Sequence, residues 1–88
     1  MSNFCYRIDT KTGEVYLIDI YSEKADNTKT FRLEGGEVVD ESQSRNGRFQ
    51  AYIAPYPAER DILLIDTETG KMYQSNQKKK VLIEIQFQ

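Results

Sequence analysis

Lys78-Lys79-Lys80 is the densest charge cluster in the sequence, and three adjacent ammonium groups are suited to phosphate. Set beside Arg45, Arg48 and the tyrosines, they would form a basic strip with stacking rings, the chemistry that grips single-stranded nucleic acid or a nucleotide. A second reading competes with this one. Lysines placed just before the apolar run Val81-Leu82-Ile83 act as gatekeepers that stop a strand from pairing with strangers. The net charge of −2, from 12 Lys and Arg against 14 Asp and Glu, favours the gatekeeper reading, because nucleic-acid binders carry a positive field. Tyr56 offers different chemistry. Pro55 and Pro57 flank it and stiffen the turn, so its ring is presented at low entropic cost, either to a partner or to the protein's own sheet. The candidate binding residues are therefore Tyr52, Tyr56, Arg48, Lys78, Lys79 and Lys80.

Catalytic chemistry has few footholds. The chain has no histidine and a single cysteine, Cys5, so the commonest general base is missing and neither an internal disulfide nor a Cys/His zinc site can be built. Cys5 lies in an apolar stretch with nothing beside it to make a thiolate, which reads as a buried or inert thiol. Glu34-Gly35-Gly36 lacks the helix and the Lys-Ser/Thr of a phosphate loop and reads as a turn. Neither Asp26-Asn27 nor Asp40-Glu41 continues with the spacing of a calcium loop. These observations point to a protein that is not an enzyme and holds no metal or cofactor.

The elements that position these residues are organised by a repeat. Asp9-Thr10-Lys11-Thr12-Gly13-Glu14-Val15-Tyr16 returns as Asp66-Thr67-Glu68-Thr69-Gly70-Lys71-Met72-Tyr73. An Asp carboxylate accepts from backbone N–H groups two or three residues on, and a glycine four residues later can take the positive φ that closes the loop. Asp9, Gly13, Asp66 and Gly70 thus read as turn-forming residues. A four-residue loop predicts that Ile8 faces Val15, Arg7 faces Tyr16 and Tyr6 faces Leu17, and that Ile65 faces Met72 and Leu64 faces Tyr73. The equivalent core positions are then Tyr6, Ile8, Val15 and Leu17 in one hairpin and Leu63, Ile65 and Met72 in the other.

Further strands are predicted over 29–34 and 37–40, joined by a Gly35-Gly36 hairpin turn, and over 48–54 and 81–88. In the last, Val81, Ile83, Ile85 and Phe87 share one face, with Glu84, Gln86 and Gln88 on the other. Residues 41–47 form a polar loop between the halves. No stretch shows a helical apolar period. Tyr6, Tyr16 and Tyr73 are expected to pack across strands.

The Asp-X-X-Thr-Gly-X-apolar-aromatic wording resembles the turn of β-propeller blades and of small bacterial β-meander proteins. It spans about eight residues per copy and transfers no active site, and two copies cannot close a propeller of ~4–8 blades. The expected fold is all-β, a small antiparallel sandwich or partly open barrel of two related β-meander halves. One domain over 1–88 is expected, with pseudo-repeat halves at about 4–40 and 48–88.

A 10.3 kDa chain hides only roughly 64% of its unfolded surface, so its core is thin and self-association is an open route to stability. No apolar run reaches the ~20 residues of a membrane helix, and the first seven residues hold no signal-peptide core. The expectation is a soluble, cytoplasmic protein. Six tyrosines and four phenylalanines are a high aromatic load suited to contacts. The function expected is a non-enzymatic small protein acting through protein–protein contacts, as an inhibitor or accessory factor. The alternative is a small β-barrel for single-stranded nucleic acid or a nucleotide. The long apolar C-terminal strand suggests a homodimer paired through its edge.

Overall fold

The computed structural model describes residues 3–20, 29–53 and 61–86. Among these residues seven strands follow in chain order: β1 (Asn3–Ile8), β2 (Val15–Ile20), β3 (Lys29–Arg32), β4 (Phe49–Ile53), β5 (Ile62–Asp66), β6 (Met72–Asn76) and β7 (Val81–Glu84). They build two antiparallel meanders, β1-β2-β3 and β4-β5-β6-β7. The two sheets pack on one shared core as an open sandwich and do not close into a barrel. Among the described residues no helix is long and apolar enough to cross a membrane.

Both repeated segments are hairpins with the same turn. Gly13 N–H donates to Asp9 C=O and Gly70 N–H to Asp66 C=O, at 2.9 and 2.8 Å; Asp9 and Asp66 N–H reach Glu14 and Lys71 C=O, each at 2.9 Å. Asp9 Oδ1 accepts from Lys11 N–H and Asp66 Oδ1 from Glu68 N–H. The strand partners are those the four-residue loop predicts: Ile8 with Val15, Tyr6 with Leu17, Ile65 with Met72 and Leu64 with Tyr73.

The buried faces of the two hairpins differ, which corrects the expected core. In the first, Val15 and Leu17 are buried with Tyr6 and Ile8 packed beside them, as the pattern implies. In the second, Leu64, Tyr73 and Asp66 point inward, while Leu63, Ile65 and Met72 lie on the outer side and are only half-buried. Side chains alternate with a period of two, so burying Asp66 commits Leu64 and Ile62 to the core and turns Leu63 and Ile65 outward. Asp9 stays exposed, and its hairpin takes the opposite face. The C-terminal strand is corrected in the same way. Leu82 is buried and Ile83 is 51% exposed, the reverse of the expected alternation, and regular pairing ends at Glu84. Phe87 lies outside the described residues.

Three other expectations change. Gly35-Gly36 does not close a hairpin; the chain runs past β7 instead, with Glu34 bridging Val81 in parallel and Leu82 N–H donating to Glu34 C=O at 2.7 Å. Residues 37–40 are irregular and dock on the first turn, Val39 N–H reaching Thr12 C=O at 3.0 Å. Cys5 is exposed, because the β1 register that turns Tyr6 and Ile8 toward the core turns Cys5 and Arg7 away from it.

The two turn glycines are not equivalent in surroundings. Both have positive φ, +90° at Gly13 and +79° at Gly70, but a Cβ at Gly13 would fall 2.8 Å from the Phe49 ring and from Glu37 C=O, while Gly70 opens on free space. Gly70→Ala is expected to cost about 1–2 kcal/mol from the backbone alone, and Gly13→Ala at least ~1 kcal/mol more, because it also overpacks the core. Urea unfolding midpoints of the two variants check this order.

Candidate functional site

The candidate residues distribute around β4 and the β6–β7 turn, and the chain treats them very differently. Arg48, just ahead of β4, is buried. Its Nε and Nη2 each lie 3.0 Å from a carboxylate oxygen of Asp66, and its Nη1 donates to Gln43 C=O at 3.0 Å. Glu68 Oε2 stands a further 3.0 Å from Nε. Arg48 C=O in turn accepts from both the N–H and the hydroxyl of Thr67. The next residue, Phe49, is fully buried, its N–H donating to Thr10 C=O at 2.8 Å in the first turn. Two consecutive residues therefore grip both copies of the repeated turn.

Asp66 is 0% exposed and accepts from Arg48, from Glu68 N–H and from the Thr69 hydroxyl. The Arg48 bonds, foremost, hold its carboxyl below the ordinary carboxylate range, with burial acting the other way. Beside the pair lies an open cleft of about 510 Å³ lined by residues 42–45, Arg48, Glu68 and Thr69. Its exposed guanidinium, Arg45, faces Glu68 at 3.5 Å. The cleft thus presents paired charges, with the Ser42 hydroxyl donating to Asp40 at 2.6 Å and the Thr69 hydroxyl to Asp66. Among the described residues no group of three His, Cys, Asp or Glu could hold a metal ion.

The lysines sit at the other end of the sheet, between β6 and β7. Lys80 N–H reaches Asn76 C=O at 2.7 Å, Lys79 N–H reaches Asn76 Oδ1 at 2.9 Å, and Asn76 pairs with Val81. This is the geometry of the Asp-to-Gly turns a third time, with Asn as the cap and Lys80, at φ 58°, in the glycine's place. Sequence reading missed it because no glycine marks the position; Asn76 four residues ahead is the remaining signal. Lys80 also sets its ammonium 4.8 Å from the centre of the Phe31 ring, a cation–π contact that links the turn to β3. Lys78 and Lys79 are exposed. The structure therefore does not bring Arg48 and the three lysines together.

Tyr52 lies at the exposed end of β4, 56% open to solvent, next to Ile53 at 77%. Tyr56 lies outside the described residues. A polar node that the sequence did not reveal ties β1 to β5 and β6 near that end. Asp61 Oδ1 lies 3.1 Å from the Tyr6 hydroxyl and 3.0 Å from Ser75 Oγ, and accepts Gln77 N–H at 3.1 Å. Burial, first, pushes the Tyr6 phenol above its ordinary value.

Compared with protein-family models, with curated proteins and with solved structures, the chain matches none.

The Asp66 carboxyl gives a pH signature. Its folded value lies below its unfolded one, so the stability it contributes is fully present above the unfolded value, ~3.9, and is lost as pH falls through the folded value. Wild-type urea midpoints should fall steeply below about pH 4. In Asp66→Asn, less stable at neutral pH, that fall should be shallower; equal slopes would remove Asp66 from the acid response.

Proposed function

We propose that the protein is a non-enzymatic binding module that takes an extended segment of a protein partner as an added strand on β4, acting as an inhibitor or accessory factor. The observation that carries this reading is the character of the β4 edge. Among the described residues β4 is the outermost strand of its sheet and pairs as a strand only with β5. Phe49 sends its N–H away from β5 to Thr10, so the first turn covers that end of the edge, and by strand alternation Ala51 and Ile53 aim their backbone groups at the same side beyond it.

Edge strands are ordinarily blunted by charge, proline or a covering segment. The other edges in the described residues have such devices. Arg7 lies on β1, Arg32 on β3, and Glu34 bridges β7. β4 reads Phe-Gln-Ala-Tyr-Ile, with no charge and no proline. Its far end carries the most exposed apolar side chain among the described residues, Ile53. Strand addition draws affinity from main-chain hydrogen bonds and specificity from alternate side chains, and Tyr52 and Ile53 supply one such side chain on each face. The nucleic-acid alternative has less support, since Arg48 spends its guanidinium on Asp66, Glu68 and Gln43 C=O and is remote from the lysine turn.

Ala51→Pro tests this reading because it removes an N–H that points away from the β4–β5 ladder, and retained wild-type circular dichroism shows that the ring is accommodated where Ala51 packs beside the core. Tagged wild type, Ala51→Pro and Ile53→Glu are exposed to lysate of the native cell, and the retained proteins quantified by mass spectrometry. A partner enriched by wild type and reduced about ten-fold by both variants, ~1.4 kcal/mol, is the expected result. Identical retention by all three would overturn the reading.

A further inference from the structure

The outer side of the β4–β7 sheet adjoins the β4 edge, with Tyr52 common to both, and its composition is unusual for this chain. Cross-strand pairing sets Tyr52, Leu63, Gln74 and Ile83 in one row across all four strands. Gln50, Ile65 and Met72 form the parallel row one pleat away, extended by Ile85, whose N–H reaches Met72 C=O at 2.8 Å. None of these side chains carries a charge at neutral pH. The sequence is 30% charged, and the outer side of the other sheet shows it: Arg7 and Arg32 are exposed there, and Glu14 meets Arg32 at 3.9 Å.

We propose that this uncharged face is where two copies of the chain pack, outer side against outer side, about a two-fold axis. Charge complementarity selects the occupant. An uncharged face penalises any partner that must bury an unpaired charge on it, and a second copy brings none. The polar groups present, the Gln74 amide, the Tyr52 hydroxyl and the Gln50 amide, whose Nε2 already donates to Gly47 C=O at 2.9 Å, include both donors and acceptors, so the face can meet its own hydrogen-bonding needs when it meets itself, as an isologous interface requires.

Size sets the strength. Four strands about 4.8 Å apart and about five residues of 3.3 Å give a face of roughly 19 by 17 Å. That is about 320 Å², some two-fifths of the ~800 Å² each partner gives to a standard interface. The face can thus supply the apolar centre and the neighbouring turns a polar rim, in a dimer that forms and dissociates with concentration. Tyr52 and Ile83, the two ends of the first row and both more than half exposed, are the side chains with most area to gain.

Sedimentation velocity of the full chain between about 1 µM and 1 mM, the weak half of the affinity scale, tests the proposal. Wild type should pass from monomer to twice the mass across that range. Ile83→Lys and Gln74→Glu, both outside the core, should remain monomeric throughout while keeping the wild-type circular dichroism; should the lysine variant unfold, the near-isosteric glutamate variant decides. Ala51→Pro should dimerise as wild type does. A wild type that stays monomeric, or face variants that associate normally, would overturn the proposal and leave the strand-addition reading standing. Dimers lost in Ala51→Pro but kept in the face variants would also overturn it, by assigning association to the β4 edge.

Discussion

The buried contact between Arg48 and Asp66 is the constraint on which the rest of this structure depends. A carboxylate with no solvent exposure survives only where ionised and neutral donors surround it, and Asp66 is surrounded by a bidentate guanidinium, a backbone N–H and a hydroxyl. The same guanidinium stands 5.4 Å from the Phe49 ring centre, and Phe49 is locked against the first turn. One dipeptide thus fixes where the two meanders sit relative to each other. The Asp61 node does the corresponding task farther along the sandwich, joining Tyr6 of one sheet to Ser75 of the other. With nine buried apolar side chains in the core among the described residues, these polar links carry a larger share of the specificity than they would in a larger domain.

Burying Asp66 has a consequence on the far side of the sheet. Once its face is committed inward, the equally apolar Leu63, Ile65 and Met72 must face out, and the second hairpin becomes apolar on both sides. The first hairpin, whose Asp9 cap stays in solvent, has a polar outer side, where Tyr16 donates to Glu14 at 2.7 Å. Two copies of one turn, in one register, therefore produce one sheet with a water-facing side and one with a surplus apolar face. The proposed association and the uncharged β4 edge both belong to that second sheet.

The register of the two hairpins was legible because Asp-to-Gly spacing sets the loop length, and loop length sets which residues face each other. The face was not. Residues 62–65 read Ile-Leu-Leu-Ile, so period-two reasoning finds a hydrophobic side either way, and the decision rests with a partner 18 residues earlier. Arg48 reads in the sequence as part of a basic strip with Arg45 and the lysines, because nothing local marks its carboxylate partner 18 residues on; in the structure its guanidinium is buried against Asp66. The third turn was hidden because Lys80 occupies a left-handed position that sequence rules reserve for Gly or Asn. Of the remaining candidates, Tyr52 is presented outward, Lys78 and Lys79 are exposed, Lys80 is held against Phe31, and Tyr56 falls outside the described residues.

A double-mutant cycle on Arg48→Met and Asp66→Asn tests the organising role of this pair most directly, since asparagine keeps the carbonyl oxygen that caps Glu68 N–H. Each single variant leaves one buried group without its counterpart, while the double removes both, so the account predicts that the double loses clearly less stability in urea than the two singles added together. Losses that simply add would contradict it, and would mean that Asp66 is held in the interior without help from Arg48.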